Sequence, residues 1–178
     1  PDADITVFTE DEDIAYSPCA IPWGIEGRSQ WDEIVMHTPQ FYSEKRNIRV
    51  MTKTKVESVD GEAKTITAGG ESYPYDSLVI ATGGRVFVPP IAGTDLKNVF
   101  VVRTVRDGKD IQAALSDVDR VVIGGAGVIG LELAVSLRGM GKDVTVIEMM
   151  DQVIPRIADK DMADEIQAHL EEKGIRFV

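Results

Sequence analysis

A single cysteine, Cys19, is present among 178 residues. One thiol excludes an internal disulfide and any Cys-x-x-Cys redox or metal pair within one chain. Histidine is nearly as scarce. His37 and His169 are the two present; neither falls in a motif, so neither is assigned catalysis, and no metal site is expected. Positive charge is also short: 19 Lys and Arg stand against 30 Asp and Glu, for a net charge of −11 and no basic cluster. Nucleic acid and anionic membrane surfaces are therefore not expected partners. No apolar run approaches the roughly 18 residues that a bilayer span needs. No signal-peptide pattern opens the chain either, so a cytoplasmic location is expected. What remains, 43% hydrophobic and 28% charged residues, is the composition of a soluble globular protein.

The strongest pattern runs from Val121-Val122-Ile123 into Gly124-Gly125-Ala126-Gly127-Val128-Ile129-Gly130, with a helix-like segment following. Val144-Thr145-Val146-Ile147-Glu148 then reads as a second strand ending in a carboxylate. Strand, Gly-x-Gly-x-x-Gly, helix, strand and acid together form the dinucleotide-binding fingerprint. Gly125 permits the tight turn, Gly127 lets a pyrophosphate approach the backbone, and Gly130 lets the helix pack close to the strand. The N–H groups around Val128, Ile129 and Gly130 then face the pyrophosphate with the positive end of the helix dipole. Glu148, about 20 residues beyond the glycines, is placed to accept hydrogen bonds from the adenosine ribose. A carboxylate there repels a 2′-phosphate, and Met149 and Met150 cannot hold one as Arg would. NADH is expected over NADPH. The glycines alone would suit a turn in any α/β domain; the flanking strands and the acid point to a nucleotide.

Elsewhere, Ile5–Phe8 reads as a strand, followed by an acidic turn. A helical region is expected to begin near Cys19, with Pro22 and Gly24 in a constrained turn leading into it. Thr38 is placed as an N-cap with Pro39 at the first helical position. Ile48–Val50 opens a β region. Residues 53–59 and 63–67 form a hairpin across Asp60-Gly61, and Gly69-Gly70 makes the next turn. Ser77-Leu78-Val79-Ile80-Ala81 reads as a fully buried strand running into Thr82-Gly83-Gly84. Val88-Pro89-Pro90 begins a connector. Asp107–Leu115 and Lys160–Lys173 are expected helices, the second with Met162, Ile166 and Leu170 on one face. Gly174 ends it, and Ile175–Val178 starts a third strand. Trp23 and Trp31 are expected to pack. The pattern is α/β.

Tyr16-Ser17-Pro18-Cys19-Ala20-Ile21-Pro22 resembles the FAD-dependent pyridine nucleotide-disulfide oxidoreductases, in the single-cysteine branch of coenzyme A-disulfide reductases, NADH oxidases and NADH peroxidases. Ile5–Glu10, Asp76–Gly83, Val88–Gly93 and Gly125–Glu148 match further motifs of that family in order. Ala20 stands where the branch usually has Gly, and Thr9 aligns with the usual ribose acid, with Glu10 next. The resemblance implies a partial FAD-binding Rossmann-like domain with a three-stranded β-meander insertion over residues 1–90. A linker and connecting helix over 91–118 and a partial NAD-binding Rossmann domain over 119–178 follow. It implies a fragment that lacks the N-terminal FAD glycine loop and the C-terminal half, from a protein that dimerises with itself. Glu10, Ser17, Val56 and Ala81-Thr82-Gly83 are implied at FAD.

The reactive form of a cysteine is its thiolate, which a helix N-terminus stabilises. From the residue alone, Cys19 reads more readily as an inert buried thiol than as a redox centre. The resemblance implies instead that electrons pass from NADH through FAD to Cys19, which alternates between thiolate and a mixed disulfide or sulfenic acid. It also implies that Glu132 lies near the nicotinamide and flavin. Coenzyme A disulfide is the expected acceptor, from the Cys19-x-x-Pro22 spacing. Oxygen or peroxide is the alternative, as is a nucleotide-binding fragment without turnover.

Overall fold

The computed structural model describes residues 3–178. In chain order they form β1 (Ile5–Phe8), a 3-10 turn (Pro18–Ala20), α1 (Ile21–Glu26), α2 (Trp31–Ile34), α3 (Pro39–Arg46), β2 (Ile48–Met51), β3 (Val56–Asp60), β4 (Thr65–Ala68) and β5 (Glu71–Pro74). Then come α4 (Val105–Ala114), a second 3-10 turn (Leu115–Asp117), β6 (Arg120–Gly124), α5 (Val128–Gly139), β7 (Asp143–Ile147), α6 (Lys160–Glu172) and β8 (Arg176–Phe177). Two compact units result. One combines the residues up to Ser17 with Val35–Arg85, the other Pro18–Ile34 with Val86–Val178. Among the described residues, no helix is long and apolar enough to cross a membrane.

In the first unit, β1 and β2 pair in parallel, from Ile5 opposite Ile48 to Phe8 opposite Met51. The helix α3 leads into β2 and packs on it. It starts as its sequence dictates: the Phe41 N–H donates to Thr38 Oγ1 at 3.3 Å, and Pro39 fills the first turn, where no N–H is needed. Asn47 ends it in the left-handed region at φ 53°. The strands β3, β4 and β5 form an antiparallel meander in sequence order, as expected.

Two expectations for this unit need correction. The β3–β4 turn is longer than an Asp-Gly pair, because Asp60 is still opposite Thr65 and the chain turns between them. The Asp60 carboxylate fixes that turn by accepting the N–H groups of Glu62 at 3.0 Å and Ala63 at 2.9 Å. The run Ser77–Ala81 is not a buried strand: Val79 is 85% exposed and Ile80 72%. A strand needs a neighbour for its N–H and C=O groups. Among the described residues the parallel sheet of this unit is the pair β1–β2, so this run has no ladder partner and forms no strand.

In the second unit, β6, β7 and β8 form a parallel sheet in that order. The crossovers are α5 and α6, the arrangement that parallel strands require. Val144, Val146, Leu137, Ala134 and Ile175 are buried at its centre. The helix α4 begins at Val105, two residues earlier than its apolar pattern suggests, because Thr104 and Asp107 close a reciprocal capping box. The buried face of α6 is Ala163 and Leu170 with Ile166 half-buried, whereas Met162 faces out at 57% exposure. The helix is turned so that the small Ala163 is buried and Met162 is not. Pro18–Ile34 belongs to this unit because α1 packs on α4 and α5, burying Ile21 and Ile25.

Candidate nucleotide-binding site

The site forms where β6 turns into α5. Gly125 sits at φ 102°, a conformation that side-chain-bearing residues avoid. Its N–H continues the ladder to the Ile147 carbonyl at 2.8 Å, so the turn stays fastened to β7. Gly127 is the N-cap of α5, and no side chain caps that helix end. The first-turn N–H groups of a helix have no intrahelical acceptor, so those of Val128, Ile129 and Gly130 remain for a ligand. A Cβ on Gly127 would meet open space, which leaves room for a ligand against the backbone. A Cβ on Gly130 would collide with the Gly125 carbonyl oxygen, so the helix passes the turn at a distance only glycine permits. The side chains of Val128 and Ile129 are exposed.

Glu148 stands at the end of β7, beside this turn. Its Oε2 accepts the Ala126 N–H at 2.8 Å and its Oε1 accepts the Met150 N–H at 2.9 Å. These bonds hold its carboxyl below the usual carboxylate range. The Met150 N–H is the largest cause, and the N–H groups of Ala126 and Met149 add to it against the opposing effect of burial. Met149 is almost fully exposed at 93% and Met150 is exposed as well, so no basic side chain adjoins the acid in sequence.

Gly125, Gly127, Val128, Ile129, Gly130 and Glu148 thus converge at one turn. Cys19 lies in the same unit. It is exposed, in the 3-10 turn that runs directly into α1. Gly24, expected in a turn, lies inside α1, where it is buried against the Trp31 ring. Trp31 packs as expected, and its indole N–H donates to Gln112 Oε1 at 2.9 Å. Trp23 is half exposed, with the Arg28 guanidinium over its ring. Glu132 is exposed on α5.

The residues implied at FAD all belong to the first unit. Glu10 is paired with Lys55 at 3.3 Å. Ser17 directly precedes the cysteine turn, and Val56 opens β3 half-buried. Ala81-Thr82-Gly83 is exposed and lies outside any strand, with Gly83 at φ 66°. Carboxylate and hydroxyl groups such as those of Glu10, Ser17 and Thr82 are chemically able to hydrogen-bond the ribose of a flavin nucleotide. The acidic turn after β1 does not fit its diphosphate, because carboxylates repel phosphate.

Sequence reasoning passed over two residues of the site. Ala126 is fully buried; its smallness between the two glycines was the available signal. Ile154, whose N–H donates to the Ala126 carbonyl at 2.8 Å, carries no local signal at all.

Residues 1–178 match the family model described as pyridine nucleotide-disulphide oxidoreductase. A curated protein of Methanocaldococcus jannaschii named NADH oxidase is 46% identical across 99% of this chain and 41% of its own length. The NAD(P)H coenzyme A polysulfide/persulfide reductase of Pyrococcus horikoshii is 36% identical across 96% of this chain and 39% of its own. Among solved structures, an NAD-dependent persulfide reductase from A. fulgidus superposes with a TM-score of 0.94 at 34% identity, covering 99% of this chain and 34% of that one. The chain therefore spans about two fifths of the length of the curated relatives it matches.

Proposed function

Since this chain belongs to the pyridine nucleotide-disulphide oxidoreductase family, we propose that it is the electron-entry part of an NADH-dependent flavoprotein that reduces a disulfide through Cys19. The observation that carries this reading is the turn Gly125–Gly130, with its uncapped helix end, open space at Gly127 and Glu148 alongside. The α5 N-terminus binds the pyrophosphate. Glu148 accepts from the adenosine ribose and, with Met149 and Met150 beside it, favours NADH over NADPH. Glu132, on α5, orients the nicotinamide. Glu10, Ser17, Val56, Ala81, Thr82 and Gly83 hold FAD in the whole enzyme.

Bound FAD supplies a two-electron relay between the nicotinamide and the thiol. Cys19 does the rest as a thiolate in an accessible position. It attacks one sulfur of the disulfide, forms a mixed disulfide and releases one thiolate; two electrons then return Cys19 to thiolate and free the second thiol. The balance is NADH + H⁺ + RSSR → NAD⁺ + 2 RSH. Coenzyme A disulfide is the acceptor of first choice, in keeping with the words coenzyme A in the name of the Pyrococcus horikoshii relative. Oxygen or peroxide reduction is the second reading, favoured by the relative named NADH oxidase. The enzyme is read as a cytoplasmic homodimer.

The test has two parts. NADH binding by this chain, lost on Gly127→Ala, supports the nucleotide site; no binding by the wild type removes it. In the whole enzyme, Cys19→Ser leaves NADH-to-flavin hydride transfer intact and abolishes disulfide reduction. Persisting disulfide turnover excludes Cys19 as the relay. The mass of the Cys19 peptide, taken under thiol-blocking conditions, separates the acceptors: a coenzyme A adduct marks the disulfide reductase, and added oxygen marks the oxidase or peroxidase.

A further inference from the structure

We propose that Glu148 is also a positioning residue: acting through Ala126, and together with Ile154, it sets the glycine loop in its nucleotide-receiving form before any nucleotide arrives. The proposal rests on the nucleotide-binding reading above and goes beyond the ribose contact that reading gives Glu148.

Ala126 is the pivot. Its side chain is fully buried, and both peptide groups flanking it are held. The Ala126 N–H donates to Glu148 Oε2 at 2.8 Å, which fixes the plane joining Gly125 to Ala126. The Ala126 carbonyl accepts the Ile154 N–H at 2.8 Å, which fixes the plane joining Ala126 to Gly127. In a trans peptide the C=O and the following N–H point in opposite directions. Holding the Ala126 carbonyl toward Ile154 therefore aims the Gly127 N–H away from the segment carrying Ile154. That N–H opens the uncapped end of α5.

The clamp closes on its far side too. Glu148 Oε1 accepts the Met150 N–H at 2.9 Å, so one carboxylate joins the glycine loop to the start of the segment that returns as Ile154. Val153 is buried there. Ile154 itself sits at φ 40°, a region that β-branched residues rarely enter. A free loop would relax that angle; here the residue remains there with its N–H on Ala126. Both ribose binding and clamping are open to Glu148 at once, because each carboxylate oxygen has a second lone pair.

The experiment uses the 178-residue chain, Glu148→Gln and Glu148→Ala. Gln keeps the shape and can still contact a ribose, but it offers one acceptor oxygen where two N–H groups need one. Two readouts are taken: hydrogen exchange at the Ala126 amide without nucleotide, and affinity for ADP and for 2′,3′-dideoxy-ADP, which has no ribose hydroxyls. Exchange at Ala126 should speed by about ten-fold or more in Glu148→Ala, with the amide of buried Val144 unchanged as a folding control. Affinity for dideoxy-ADP should fall about ten-fold in both variants, the loss of one charge-assisted hydrogen bond. Removing a carboxylate near a diphosphate would by itself tighten binding, so a weakening cannot come from charge. If the wild type binds both probes and either readout stays unmoved in Glu148→Ala, or dideoxy-ADP binds more tightly, the positioning role is overturned. A wild type that binds neither probe overturns the nucleotide reading itself.

Discussion

Gln112 on α4 ties down the helix that follows Cys19: its Nε2 donates to the Gly24 carbonyl at 2.7 Å, while its Oε1 accepts the Trp31 indole N–H at 2.9 Å. Gly24 lies near the C-terminal end of α1, where carbonyls run out of helical partners. One amide side chain thus satisfies α1 and α2 together, and the cysteine turn is continuous with the helix it holds.

Gln112→Leu should therefore leave the Trp31 N–H without its partner and the Gly24 carbonyl with the Gly27 N–H alone. The expected cost is about 1–3 kcal/mol. Thermal unfolding should show a fall of about 2–4 °C for each kcal/mol. Alkylation of Cys19 should also quicken as α1 loosens. An unchanged melting temperature would mean that water replaces Gln112 without loss.

Gly127 and Gly130 separate binding from folding. Gly127 has φ −74° and ψ 176°, which alanine adopts freely, and its Cβ would enter open space. Gly127→Ala should fold with stability within about 0.5 kcal/mol of the wild type and bind NADH at least ten-fold more weakly, a loss of about 1.4 kcal/mol. Gly130→Ala should lose stability by about 1–3 kcal/mol, because its Cβ meets backbone that cannot step aside. Denaturant titration beside NADH fluorescence distinguishes the two.

Glu148→Arg should invert the dinucleotide preference. It removes the carboxylate that repels a 2′-phosphate and supplies a guanidinium that pairs with one. The NADH-to-NADPH affinity ratio should fall by about ten-fold or more, as for a gained charge-assisted contact. An unmoved ratio counts against the ribose assignment.

Acid should reach the same residue. The folded-state pKa of Glu148 lies below its unfolded value, chiefly through the Met150 N–H. The unfolded chain therefore binds the proton more readily. The stability Glu148 contributes is complete above the unfolded glutamate pKa, about 4.3, and is lost as pH falls through the depressed folded value. Glu148→Gln should flatten that part of the stability curve and leave the curve near neutral pH with the same slope. Urea unfolding as a function of pH measures both.

Much of this molecule is local chemistry, and so was legible without coordinates. Gly125, Gly127, Gly130 and Glu148 announce a nucleotide turn because each answers a constraint set within a few residues or by one strand spacing. Thr38 and Pro39 start α3 for the same reason. Neighbours distant in sequence decided the rest. Ser77–Ala81 has the composition of a buried strand, yet strand formation depends on a ladder partner that composition does not supply. Met162 has the right spacing for a buried face, but α6 buries Ala163 and Leu170 instead, a rotation that spacing alone does not set. Cys19 was visible as the lone thiol, whereas the packing of the helix after it on α4 and α5, and the Gln112 bond that ties it to α4, were not. Residue type and spacing determined what the chain is equipped to bind. Tertiary structure decided how that equipment is held, because the hydrogen bonds from the Ala126 N–H to Glu148 and from the Ile154 N–H to the Ala126 carbonyl join residues that only folding brings together.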